Sequence, residues 1–176
     1  YMNRGIHEGE SGVAVYYYDA PGSVVSECLF VETNQAFSLL KEDVRSMAYV
    51  TEDGKGFCLL VNEEAYAINI ETRQVDKIAS GLMQEGYGSS ASGRQFAWMN
   101  GSDAFACTSI TVMDLENRST REITCGEEQK LKFLGFIGED LAYGLADAGD
   151  IDRSHTGYEI FPMNRVLIIN QAGETV

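Results

Sequence analysis

An all-β fold, built as a β-propeller-like array of about three and a half four-stranded blades, is predicted by three features of the sequence. First, one pattern recurs: a polar turn with Gly, an apolar strand, a connection, a second apolar strand and a polar turn into a third. Second, the apolar runs are about five or six residues long and rich in Val, Ile, Phe, Tyr and Trp, the residues that fit a short buried strand. Third, 18 glycines stand against 2 prolines, a balance suited to many tight turns.

The clearest copy runs Thr51-Glu52-Asp53-Gly54-Lys55, an apolar run over 56–61, a second over 66–70, the turn Glu71-Thr72-Arg73 and a third run over 74–78. The next copy has Ser90-Ala91-Ser92-Gly93-Arg94, runs at 95–99 and 110–115, Glu116-Asn117-Arg118, and 119–124. A looser third has Gly138-Glu139-Asp140, runs at 141–145 and 165–169, then Asn170-Gln171-Ala172-Gly173. Aligning Ile70 with Leu115 also places Ile78 on Ile123, an offset of 45 at both ends. All-strand repeats of roughly 40 to 50 residues are the period of propeller blades. Asp53-Gly54 and Ser92-Gly93 supply a residue that enters left-handed backbone space at little cost.

Residues 13–18, a Pro21-Gly22 turn and residues 24–31 read as a hairpin, the remaining half of a blade whose other strands are missing or supplied elsewhere. Residues 35–45 read equally as a helix or as an edge strand and turn. Four blade-like units follow, at 12–40, 44–79, 87–125 and 131–176, within a single expected domain covering 1–176. The segment Gly86-Tyr87-Gly88-Ser89-Ser90 reads as a flexible connection between units. An open array exposes strand edges. The expectation is therefore either a piece of a longer propeller or self-association that covers the open faces.

The chain has 176 residues, 44% of them hydrophobic, enough for one ordinary core. Its formal charge of −14 repels nucleic acid and anionic membranes at long range, so neither is an expected partner. No apolar run reaches the ~18 residues of a transmembrane helix, and no membrane insertion is expected. Residues 1–12 are polar, so any targeting segment is expected to have been removed or never to have existed. Cys28, Cys58, Cys107 and Cys125 are dispersed without a Cys-x-x-Cys pair, which argues for buried free thiols and against zinc. Export would permit a Cys107–Cys125 disulfide.

At Ser90-Ala91-Ser92-Gly93-Arg94-Gln95-Phe96-Ala97-Trp98 the chain resembles the Ser-Pro-Asp-Gly-Lys-x-Ile-Ala-Phe element of TolB-like propeller repeats. The stretch Ile110-Thr111-Val112-Met113-Asp114-Leu115-Glu116-Asn117-Arg118 resembles that family's strand ending in Asp-Leu-Glu-Thr-Gly. Similar repeats build the propellers of the dipeptidyl-peptidase IV and prolyl oligopeptidase families. The proline of the pattern is replaced by Ala91 and by Glu52 in the two better copies, and the Trp-Asp signature of WD repeats is absent, Trp98 being followed by Met99. The resemblance implies a bacterial extracytoplasmic or secreted protein whose propeller binds a partner.

Chemistry-bearing motifs are sparse. The two histidines, His7 and His155, fall in predicted loops, and no Gly-x-Ser-x-Gly elbow accompanies them. Within the insertion at 147–162, Asp150, Asp152 and Ser154 alternate like the oxygens that open a calcium loop. His155 then stands where the loop requires glycine, and Phe161 where it requires glutamate. No motif calls for a cofactor. Glu63-Glu64 and Glu127-Glu128 read as solvated turn residues. Among the aromatics, Tyr16-Tyr17-Tyr18, Tyr87, Trp98, Tyr143, Tyr158 and Phe161, the loop residues Tyr158 and Phe161 are the candidate ligand contacts. The expected function is a non-catalytic scaffold binding a protein or peptide through loops. The alternatives are a carbohydrate-recognition module using loop aromatics, and a glycoside-hydrolase-like enzyme with two converging carboxylates.

Overall fold

The computed structural model describes residues 7–151 and 160–176. It divides into two compact units, Tyr1–Ser80 and Gly81–Val176.

In the first unit, β1 (Gly12–Asp19) and β2 (Val24–Glu32) form an antiparallel hairpin with a bulge between Val15 and Tyr16. Helix α1 (Phe37–Ser46) follows, resolving the two readings of 35–45 in favour of helix. Leu40 and Val44, four residues apart on one face, pack on a core of Val31, Val61 and Tyr66, whereas Phe37 and Leu39 stay exposed. Strands β3 (Ala48–Val50), β4 (Gly56–Val61), β5 (Glu64–Asn69) and β6 (Val75–Ala79) then make a four-stranded meander in chain order. The β4–β5 turn carries Asn62 and Glu63 at φ 54° and 61°, the double positive-φ geometry that suits a two-residue hairpin. Buried Asp43 on α1 accepts the Asn62 amide at 2.9 Å, so the helix pins this turn.

The second unit opens with β7 (Tyr87–Ser89), β8 (Gln95–Met99), β9 (Ser109–Asp114) and β10 (Thr120–Thr124), again four strands in chain order. The reading of 86–90 as a free connection is corrected here: Tyr87, Gly88 and Ser89 pair with Trp98, Ala97 and Phe96. Glycine hides the strand in the sequence, and in the structure it gives room to the core, because a Cβ at Gly88 would stand 3.1 Å from the Phe133 ring, closer than ordinary contact. A three-stranded sheet follows: β11 (Gln129–Ile137), β12 (Asp140–Asp147) and β13 (Arg165–Ile169), with one further bridge from Ile169 to Thr175. The core between these two sheets is formed by Ala97, Met99, Ile110 and Val112 on one side and Leu131, Phe133, Leu141, Tyr143, Leu145 and Ile169 on the other.

The repeat seen in the sequence is a repeat of hydrogen bonds. The hydroxyl of Thr51 accepts the Gly56 amide at 2.7 Å, and that of Ser90 accepts the Gln95 amide at 3.2 Å. Three residues before each strand, Asp53 and Ser92 accept the amides of Lys55 and Arg94. Farther on, Arg73 and Arg118 occupy the same left-handed turn position at φ 59° and 61°, reproducing the offset of 45. The preceding closures match as well, Asn69 N to Gln74 O at 2.8 Å and Asp114 N to Ser119 O at 2.9 Å. The Ser/Thr-x-x-Gly turn is thus a side-chain-capped turn whose glycine, φ 69° at Gly54 and 76° at Gly93, reverses the chain.

All four cysteines are free thiols. Cys107 donates to the carbonyls of Asn100 and Ser109, and Cys125 to those of Thr108 and Gln129. Burial raises the pKa of both thiols. Glu64 begins β5 instead of lying free in a turn; it pairs with Lys77 at 2.6 Å and accepts the Tyr66 hydroxyl. Burial, followed by that hydrogen bond, pushes the Tyr66 phenol up to about 12.

Candidate functional site

The insertion singled out in the sequence leaves β12 at Asp147 and forms a short 3-10 turn, Ala148–Asp150. Asp150 sits in that turn, whereas Asp152, Ser154, His155 and Tyr158 lie outside the described residues. Ala148 N is tied to Glu128 O at 2.8 Å, and Asn164 donates to Asp147 at 2.9 Å. An open depression of about 560 Å³ lies between these loops, lined by Glu127, Glu128, Asp147, Ala148 and Gly149. Among the described residues, no three His, Cys, Asp or Glu side chains gather closely enough to hold a metal ion. Phe161 is buried, 7% exposed, and its ring lies 6.2 Å from that of Phe105. It packs into the protein.

The β1–β2 hairpin is the most conspicuous apolar surface of the first unit. Tyr16, Tyr18 and Val25 are 59%, 58% and 62% exposed. Tyr16 and Tyr18 alternate on one face of β1, and Val25 stands directly opposite Tyr18. Tyr17 and Val24 are also exposed. The two strands pair only with each other among the described residues, so both outer edges are open. Beside them lies an apolar groove of about 220 Å³ whose lining includes Val15, Tyr17, Cys28, Phe57 and Ile68.

Glu27 organises this hairpin. It lies opposite Tyr16 and accepts a hydrogen bond from His7 at 2.8 Å, while the other His7 nitrogen meets Glu10 at 2.9 Å. The His7 ring stacks on Phe30 with centroids 3.6 Å apart. The bond to Glu27, then that to Glu10, raises the His7 pKa above 6.5. Hydrogen bonding to His7 in turn lowers Glu27, against a smaller opposing effect of burial. Tyr16 is raised, chiefly through its hydrogen bond to Glu27. Arg73, from the β5–β6 turn, reaches Ser26 at 3.1 Å and anchors the hairpin to the adjacent sheet.

Sequence reasoning named the Tyr16-Tyr17-Tyr18 run but set it behind the loop aromatics. A run of three aromatics puts apolar surface on both faces of a strand, and a two-stranded ribbon can cover only one; that was the available signal. Val24 and Val25 carried none by themselves.

No protein-family model matches the chain, and no curated protein matches it. Solved structures similar to it include Porphyromonas gingivalis dipeptidyl peptidase 4, at 10% identity and TM-score 0.40, over 82% of this chain and 26% of that one. Another is a putative TolB from Agrobacterium tumefaciens, at 16% identity and TM-score 0.39, over 92% of this chain and 59% of that one. A third is oligogalacturonate lyase from Vibrio parahaemolyticus, at 10% identity and TM-score 0.38, over 90% of this chain and 43% of that one. The chain spans less than two thirds of the length of each. The protein itself is all-β, with several antiparallel sheets.

Proposed function

We propose that the chain is a non-catalytic scaffold, its sheets serving as propeller blades, that binds an extended segment of a protein or peptide partner along the β1–β2 hairpin. The observation that carries this reading is the hairpin itself: exposed Tyr16, Tyr18 and Val25 on a ribbon with both edges unpaired among the described residues. An open edge offers main-chain hydrogen bonds to an added strand, and the aromatic face offers contact area at low entropic cost. The other sheet of the same unit, β3–β6, has four strands, twice the number here. Acidic Asp19, Glu27 and Glu32 on the hairpin and a chain charge of −14 favour a partner segment in which apolar residues alternate with Lys or Arg. The compartment that accompanies this reading is extracytoplasmic, on the TolB-like resemblance of the repeats.

The test is selection from a displayed library of ten-residue peptides against the wild-type chain and against Tyr18→Glu and Val25→Glu. Both replaced side chains are more than half exposed, so both variants retain the fold. The expected result is enrichment of alternating apolar and basic sequences on wild type and its loss on both variants. Equal enrichment on all three chains would overturn the reading, and so would saturable binding on a glycan array that depends on Tyr16 and Tyr18.

A further inference from the structure

In the second unit, a cavity of about 150 Å³ is lined by Gln95, Val112, Asp114, Ser119, Thr120, Arg121 and Gln171. Its position follows from the strand register. Gln95 pairs with Asp114 and Arg121 with Val112, so these four residues share one face of the sheet beyond its apolar core. That face turns from apolar to polar here, and the polar end contains a cation.

Arg121 is half-buried on β10. One guanidinium nitrogen, Nη1, donates to the Asn170 carbonyl at 2.9 Å. The other, Nη2, is buried without a hydrogen-bond partner among the described residues. Burial lowers the pKa of this guanidinium. Asp114, the acid in the cavity wall, is engaged elsewhere. Its Oδ2 accepts from Nε and Nη2 of Arg94, both at 3.0 Å, and its Oδ1 accepts from the amides of Glu116 and Asn117 at 2.8 and 3.3 Å. An uncompensated guanidinium away from water is costly, and it is unusual in a chain with twice as many acids as bases. Anion binding relieves that cost.

We infer that this cavity is an anion site that takes a carboxylate, held by Arg121 with the Ser119 hydroxyl and the Gln171 amide as further donors. Two features select a carboxylate. The guanidinium fork matches a planar two-oxygen anion. Val112 supplies an apolar wall for the carbon that bears the carboxylate. The carboxylate comes either from a free small acid or from the C-terminus of a peptide. The inference concerns the second unit alone and is independent of the hairpin.

The test records arginine side-chain NMR signals of the whole chain during titration with sodium acetate, against sodium chloride at equal ionic strength. A second arm uses a tripeptide ending in a free carboxylate beside the same tripeptide as its amide. The expected result is a saturable shift of the Arg121 signal with acetate and not with chloride. Arg121→Lys, which keeps the charge but loses the fork, is expected to weaken acetate binding about tenfold. Tighter binding of the tripeptide acid than of acetate, with none by the amide, identifies a peptide C-terminus as the source; acetate binding alone identifies a free acid. Equal shifts with acetate and chloride would overturn the inference, as would saturable shifts at other arginines that leave Arg121 unmoved. The wild-type readout stands even if Arg121→Lys fails to fold.

Discussion

Replacing Ser90 by Ala tests whether the repeated turn is held by its hydroxyl. Ser90 and Gln95 are both 6% exposed, and the hydroxyl accepts the Gln95 amide at 3.2 Å. Alanine leaves that buried N–H without its acceptor, where water has little access, at a cost of about 1–3 kcal/mol. For a chain of this size, a cost of about 2 kcal/mol lowers the melting temperature by about 4–8 °C. Thr51 accepts the Gly56 amide in the equivalent turn but is half exposed, so water can substitute; Thr51→Val is expected to cost about 0.5–1.5 kcal/mol. Ser90→Thr, the residue the first copy uses, keeps the acceptor and most of the stability. Urea unfolding gives the global cost, and hydrogen exchange at the Gln95 amide gives the local one. A Ser90→Ala chain within 0.5 kcal/mol of wild type (a difference smaller than the range above), or unchanged exchange at Gln95, would refute the hydroxyl's role.

Two further outcomes follow from buried or shared acids. Asp43 is 7% exposed and caps the Asn62 amide, so Asp43→Ala is expected to cost about 1.5–3 kcal/mol and Asp43→Asn distinctly less, as measured by urea unfolding; equal costs would show that the cap is not what matters. His7 has a folded-state pKa raised by Glu27 and Glu10, so the stability it contributes is fully present below pH 6.5 and is lost as pH rises through the raised value. A proton NMR titration should place the His7 midpoint above 6.5, and His7→Gln should flatten the pH dependence of stability in that window; a midpoint at or below 6.5 would contradict the Glu27 link.

Strands that alternate around a strong turn were legible in the sequence. Residues 56–61, 95–99 and 165–169 were each bounded as the structure has them, and for the first two Gly and hydroxyl turns fix where the strands begin. The three-residue strands β3 and β7 were missed, since Ala48-Tyr49-Val50 is too short to show a period and Gly88 reads as a loop. Their strand geometry comes from pairing with β4 and β8, a tertiary cause. Helix α1 was ambiguous because Phe37 and Leu39 are exposed apolar residues that blur its amphipathic face. At the sites, the sequence drew attention to polar residues in an insertion. The structure instead shows Phe161 packed inward, and it brings out Arg121, whose importance depends on a missing counter-charge that no local pattern can display.

Because each described strand within a sheet pairs with its immediate neighbour in the chain, the contacts that define a sheet are separated by short stretches of sequence. Loop closure costs little entropy at such separations, and the folding rate of small domains rises as they shorten. Each four-stranded meander can therefore form as its last strand leaves the ribosome, without waiting for distant residues. The hairpin β1–β2 is made before the β3–β6 meander it is anchored to, and until that sheet forms its exposed aromatic face is a surface on which a chaperone can act.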